Sequence, residues 1–339
     1  MFNYIIKLYF KAISYRKKDK IINKLNNHSL NPTLIKEIYL LNNFKESWRS
    51  SIGYALKKEK YVIKNISSKK NKNTISSIIK VQHNFIYNKG TENIPASEIL
   101  EYAFFCKKIN LKWFIVDVYN KEIFSSLYNK VTSKDFDYFS RDNSNLLFIR
   151  DNIKLHYWQN KLKYIESLVS SYKKILNSKK QISLYRNYNR SNASFYAQKY
   201  ALNYNKSYKD FNNNGGDCTN YISQCLHAGG IPLSNNWSPY KNSWIRVKDL
   251  YYYLINTKIG IDADLNSSYS IGDIIQFFSN EKGFFSHSGI ITKINSYGEY
   301  FYCCHSLDKL NFPLSEIYPL FYDKYRIIHI NDNNLSKKY

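Results

Sequence analysis

The segment Gly215-Gly216-Asp217-Cys218-Thr219-Asn220 combines residue types that could do covalent chemistry. Two glycines allow a sharp backbone turn, and Cys218 then falls in the first turn of a helix running to Ala228. Free N–H groups and the positive end of the dipole at a helix start favour a thiolate, the form of cysteine that attacks. The same N–H groups could hold the oxyanion of an acyl intermediate. Asp217, alone or with Thr219, could instead cap the helix, and a helical cysteine can simply be a small buried hydrophobe. A second segment, Phe285-Ser286-His287-Ser288-Gly289, puts a histidine at the start of a strand with small neighbours that leave its ring accessible. Histidine is the side chain suited to take a thiol proton near neutral pH. Cys218 and His287 together would support acyl transfer, and a histidine that merely ends a strand is the alternative for His287.

The remaining candidates carry less. Cys106, Cys218, Cys225, Cys303 and Cys304 make an odd count with no C-x-x-C pair. A disulfide framework or a structural metal site is therefore not expected, and neither is an organic cofactor. His28, His83 and His156 read as surface or packing residues, His227 follows Cys225 on its helix, and His329 reads as structural.

The run Tyr188-Asn189-Arg190, Ala193 and Tyr196-Ala197 leads into Gly215 to Leu226 and Ala228-Gly229-Gly230. It is followed by Ser243-Trp244, Leu250-Tyr251, Gly272 to Gln276, His287-Ser288, His305-Ser306 with Asp308, Pro313-Leu314, Arg326 and His329-Ile330. Over about 145 residues this resembles the putative amidase domain of Gram-positive bacteria, a family related to NlpC/P60 and CHAP peptidases, of papain-like fold. The resemblance implies Cys218 as nucleophile, His287 as base, a third polar residue on the next strand, and hydrolysis of an amide bond, by analogy in peptidoglycan peptides. Asp217, Thr219, Asn220 and Ser288 would neighbour the site. In a meander, the strand after His287 returns beside it, which brings His305 level with His287 and leaves Asp308 in the following loop. His305 is favoured as the group orienting His287, with Asp308 as the alternative. A transglutaminase-like acyl transferase would share these residues, and a binder would use the same half as a recognition surface.

The elements that must position these residues are α+β in pattern. After a polar linker at Asn177–Gln181 come helix candidates at Ala193–Asn203, Cys218–Ala228 and Asp249–Ile255. Strand-like stretches follow at Asp273–Phe278, His287–Ile294, Tyr300–His305 and Tyr325–Ile330. The amino-terminal half reads as a helix over Thr33–Glu59, then strands at Tyr61–Ile66, Thr74–Tyr87, Ala96–Cys106 and Lys112–Tyr119, then a long helix over Leu155–Leu176. One helix followed by an antiparallel meander is similar to NTF2-like or cystatin-like domains, which bind or dimerise. Two domains are expected: residues 1–180 as a basic α+β module that binds or forms a homodimer, and residues 185–332 as a papain-like domain.

The chain has 339 residues and a formal charge of +24. From Tyr185 onward there are 16 Lys and Arg against 12 Asp and Glu, about +4, so about +20 belongs to the segment before it. That surplus suits an anionic polymer or membrane surface, with salt-dependent binding residing in residues 1 to about 180. No Arg-rich patch, RNP-like aromatic motif or zinc-finger spacing is present, so nucleic acid is not an expected partner. No run of 18 apolar residues exists. The apolar stretch within Met1–Lys20 precedes its basic cluster Arg16-Lys17-Lys18, the reverse of a signal peptide, and reads as a docking helix. Many members of the resembled family are exported; here a cytoplasmic or peripheral membrane location is the expectation.

Overall fold

The computed structural model describes residues 2–14, 18–140, 144–176, 188–263 and 269–331. The expected linker at Asn177–Gln181 and the basic residues Arg16 and Lys17 lie outside them. The chain divides into two compact units: Met1–Asn93 with Ile99–Val169, and Ile94–Glu98 with Ser170–Tyr339. Both are α+β.

The first unit opens with three helices, α1 (Phe2–Ile13), α2 (Lys18–Asn26) and α3 (Pro32–Ile52). At the start of α3, the Asn31 side chain accepts from the Thr33 N–H and Pro32 occupies the first turn. Gly53, at φ +80, closes the helix and donates to Arg49 and Ser50 carbonyls. The apolar period persists to Leu56, which is why the sequence suggested Glu59 as the end. Four antiparallel strands follow in chain order: β1 (Ala55–Asn71), β2 (Thr74–Lys89), β3 (Glu92–Ile109) and β4 (Lys112–Asn120).

Both faces of β3 are covered. Tyr102 and Phe104 meet Tyr9 and Phe10 of α1, while Ala103 and Phe105 join a cluster with Tyr119, Tyr128, Val131 and Tyr138. Helix α1 therefore spends its apolar face (Ile5, Ile6, Leu8, Tyr9 and Phe10) on the core, as a docking helix does. After α4 (Ser125–Val131), the expected single helix is two, α5 (Ser144–Lys163) and α6 (Ile165–Leu176). Lys154 of α5 is buried between Glu37 at 2.7 Å and Asp117 at 3.0 Å. Its ammonium also donates to the Val118 carbonyl.

The second unit places α7 (Arg190–Tyr200), α8 (Cys218–Ala228), α9 (Asn242–Ile245) and α10 (Val247–Asn256) ahead of its sheet. Its strands are β5 (Gly260–Ala263), β6 (Ile274–Ser279), β7 (Phe284–Ile294), β8 (Tyr300–Cys304), β9 (Lys309–Pro313) and β10 (Tyr325–Ile330). They lie in the order β9-β8-β7-β6-β10-β5, all antiparallel. Ile274, Ile290, Cys303, Ile328 and Ile330 form one core with Ala193, Ala197, Tyr221, Ile222, Leu226 and Leu250 of the helices. Arg190 pins this arrangement from α7, donating to Asp273 and to the Ile330 carbonyl at 2.6 Å. His329 meets the other oxygen of Asp273 at 2.9 Å, the structural role read from the sequence. Among the described residues no helix is long and apolar enough to cross a membrane.

Candidate active site

Gly215 and Gly216 have φ of +98° and +109°, backbone that favours glycine, and they turn the chain sharply into α8. A Cβ on Gly216 would also come within 3.3 Å of the Ser306 hydroxyl. Cys218 sits in the first turn of α8, and the apolar residues Tyr221, Ile222, Cys225 and Leu226 seat the helix in the core. Cys218 keeps 7% exposure, whereas Cys106, Cys225, Cys303 and Cys304 keep none.

The Thr219 hydroxyl lies 3.7 Å from the Cys218 sulfur, and the backbone N–H groups of Thr219 and Ser288 are near enough to favour its thiolate. Ser288 is the residue that follows His287. Among the described residues no hydrogen bond joins the Cys218 thiol to the His287 ring. The resting thiol is not the thiolate that the helix start suggested. Burial pushes its pKa up, and the neighbouring charge of Asp217 acts the same way; the bonds from Thr219 and Ser288 oppose them without winning.

His287 is also buried, with its ring roughly parallel to Phe277. Its Nε2 is buried without a hydrogen-bond partner. Burial lowers its pKa to about 3, helped by the charges of Lys309 and Lys282. The imidazole is therefore neutral near pH 7, and protonating it is costly until that environment changes. The Ser288 hydroxyl accepts from Gln276 Nε2 at 3.3 Å, and Gln276 Oε1 accepts from Arg326 Nε at 2.8 Å. Arg326 is clasped between the Tyr251 and Phe285 rings.

Residues 187–329 match the family described as a putative amidase domain. That family supports a hydrolase. Two proteins of Bacillus subtilis (strain 168) also match. The uncharacterized protein YjcM is 32% identical over 131 residues, covering 35% of this chain and 31% of its own. The uncharacterized protein YhbB is 36% identical over 117 residues, covering 31% of this chain and 37% of its own. The chain thus spans about a third of the length of these curated relatives. No solved structure matches. The papain-like, NTF2-like and cystatin-like likenesses therefore rest on sequence alone.

Within the matched residues, the expected third residue has other partners. The pairing of Ile290 with Cys303 does carry the end of β8 toward the start of β7, where His305 follows. Both ring nitrogens of His305 are nevertheless engaged elsewhere. Nδ1 lies 2.6 Å from Asp217 Oδ2, and Nε2 lies 2.8 Å from the Tyr200 carbonyl. Tyr204 and Tyr221 stack on its two faces with centroids at 3.8 and 3.9 Å. A carbonyl can only accept, so Nε2 donates to Tyr200 and Nδ1 is left to face Asp217. His305 has nothing left with which to orient His287. Asp308 is held by the Tyr204 hydroxyl at 2.7 Å and the Ser306 N–H at 3.0 Å. Neither candidate is hydrogen-bonded to His287.

Asp217 is the hub that the sequence obscured. Its side chain makes no helix-capping bond. Oδ1 accepts instead from the Phe211 N–H at 3.0 Å and from Asn220 Nδ2 at 2.9 Å, while Oδ2 meets His305. Its own N–H donates to the Ser306 hydroxyl. Asn220 in turn accepts from the Trp244 indole N–H at 2.9 Å. Asp217, Asn220, Ser306 and His305 together fix the backbone on the amino side of Cys218. Tyr240, half exposed at φ +74 and packed on Phe211, flanks the same loop. Among the described residues no His, Cys, Asp and Glu cluster could hold a metal ion.

Proposed function

We propose that the carboxy-terminal unit hydrolyses amide bonds through an acyl-thioester on Cys218. The observation that supports this is a cysteine at a helix start that keeps some exposure and feels the N–H of Ser288, the residue after a neutral histidine with an unpartnered nitrogen. The thiol proton moves to His287 as the sulfur attacks the carbonyl carbon. N–H groups at the start of α8 receive the oxyanion. Collapse breaks the C–N bond, and His287 returns the proton to the departing amine. Water then attacks the thioester with His287 again as base, releasing the acid and restoring the thiol.

The resting pair is a neutral thiol and a neutral imidazole. Proton transfer therefore coincides with attack and requires the ring to come within hydrogen-bond reach when substrate binds, as is common for sites that tighten on their substrate. His305 serves as a positioning residue that acts through Asp217 on the nucleophile's backbone. Peptide amides, those of cell-wall peptides among them, are the substrate class. Incubation with muropeptides and a peptide-amide library, with mass spectrometry of the products, tests this. New acid and amine termini should form with the native chain and be absent with Cys218→Ala. Equal product from both would overturn it.

A further inference from the structure

The two hairpin turns at one end of the first unit's meander sit side by side. Asn71 pairs with Thr74 across the turn Lys72-Asn73, and Ile109 pairs with Lys112 across Asn110-Leu111. The Lys108 N–H donates to the Asn73 carbonyl at 2.7 Å, which fixes the turns together. Lys69, Lys70, Lys72, Lys107 and Lys112 are exposed there, with Lys108 partly so. No Asp or Glu occurs from Tyr61 to Thr91 or from Tyr102 to Val116, so neither hairpin carries an acid near its tip.

The centre of this basic tip is apolar. Leu111 is 80% exposed and Ile109 39%. Asn110 and Leu111 have φ of +45° and +67°, the left-handed pair that a two-residue hairpin requires and that Asn-Gly fills at least cost. A leucine at the second position strains the backbone and, being exposed, returns little to the fold.

We propose that this tip is a docking site for an anionic lipid surface. A bilayer offers a plane of phosphates to the lysines and, just beneath it, an apolar layer for Leu111 and Ile109. Lysine stems can lie along that boundary with their charges in the headgroups. A polyanion in solution would account for the lysines and leave the leucine without a role. No arginine or exposed aromatic occupies the two turns, so nothing there reads nucleic-acid bases.

The test is flotation of the full chain with phosphatidylcholine vesicles, with and without phosphatidylglycerol. Leu111→Asn suits the left-handed backbone, so its folding is protected while its apolar side chain is lost. The second variant is Lys107→Gln/Lys108→Gln/Lys112→Gln, with its melting checked against the native chain. The native chain should bind only the anionic vesicles. Leu111→Asn should weaken binding about tenfold. The triple variant should weaken it by roughly fivefold per lysine and flatten the salt dependence. Three outcomes would each overturn the proposal: no binding to anionic vesicles, undiminished binding by Leu111→Asn, or tighter binding to a DNA duplex than to the vesicles.

Discussion

His287 lies within β7 and His305 just past the end of β8, its neighbour in the sheet; both are buried, and their surroundings are opposite in kind. His305 has a partner for each nitrogen and a tyrosine against each face. His287 has a buried Nε2 with no partner and two lysines whose charge disfavours its protonation. An orphaned buried nitrogen costs stability, and most proteins avoid it. The satisfied histidine belongs to the scaffold, and the unsatisfied one keeps a nitrogen that the fold does not use.

The largest expected contrast is in turnover. His287→Ala should lower the rate on an identified amide on the order of a thousandfold or more while the melting temperature holds or rises. His305→Ala should do the converse first. Leaving Asp217 buried without its partner should cost about 3–5 kcal/mol of stability, read by chemical denaturation. His305→Gln should recover part of the stability and of the Cys218 labelling rate, because its amide can still meet Asp217. Equal stability losses in both alanine variants would dissolve the distinction between the two histidines.

Acid should sharpen it next. The folded chain holds His287 down near 3, while the unfolded chain protonates it near its ordinary 6.5. As pH falls through that window the unfolded state takes a proton that the folded state refuses. Stability should therefore decline toward low pH by at most about 1.4 kcal/mol per pH unit from this group. His287→Gln should flatten that decline in an acid titration followed by circular dichroism. In alkali, iodoacetamide labelling of Cys218 should be slow at neutral pH, climb with pH above the range of an ordinary thiol, and still outpace the four fully buried cysteines. The smallest effect lies in the other unit, where Leu111→Gly should raise stability by about 0.5–1 kcal/mol by relieving its left-handed backbone.

How legible each region was follows from the range of the forces that shape it. Helix α8 was read at both ends because glycine pairs flank it within the sequence. Strand β10 was also read in full from its apolar run. Helix α3 was overrun because Leu56 kept the period beyond Gly53, and the break at Tyr164 between α5 and α6 has no proline or glycine to mark it. Nothing in the sequence marks Lys154 as buried, since Glu37 and Asp117 reach it only through the fold. The pairing of Asp217 with His305 spans 88 positions and depends on sheet register, so spacing alone suggested a different partner for the histidine. The thiol's protonation was misjudged for a related reason. A helix start is visible in a sequence, whereas the burial that raises the thiol's pKa is a property of the packed core.

Intact-mass analysis of the full chain during turnover of a peptide amide, with peptide mapping of any adduct, tests the central claim most directly. An acyl group should accumulate on Cys218 alone, be lost with appearance of the acid product, and be absent in Cys218→Ala, while His287→Ala should lose the adduct together with turnover. Hydrolysis that persists in Cys218→Ala, or an acyl group mapped to another residue, would contradict it.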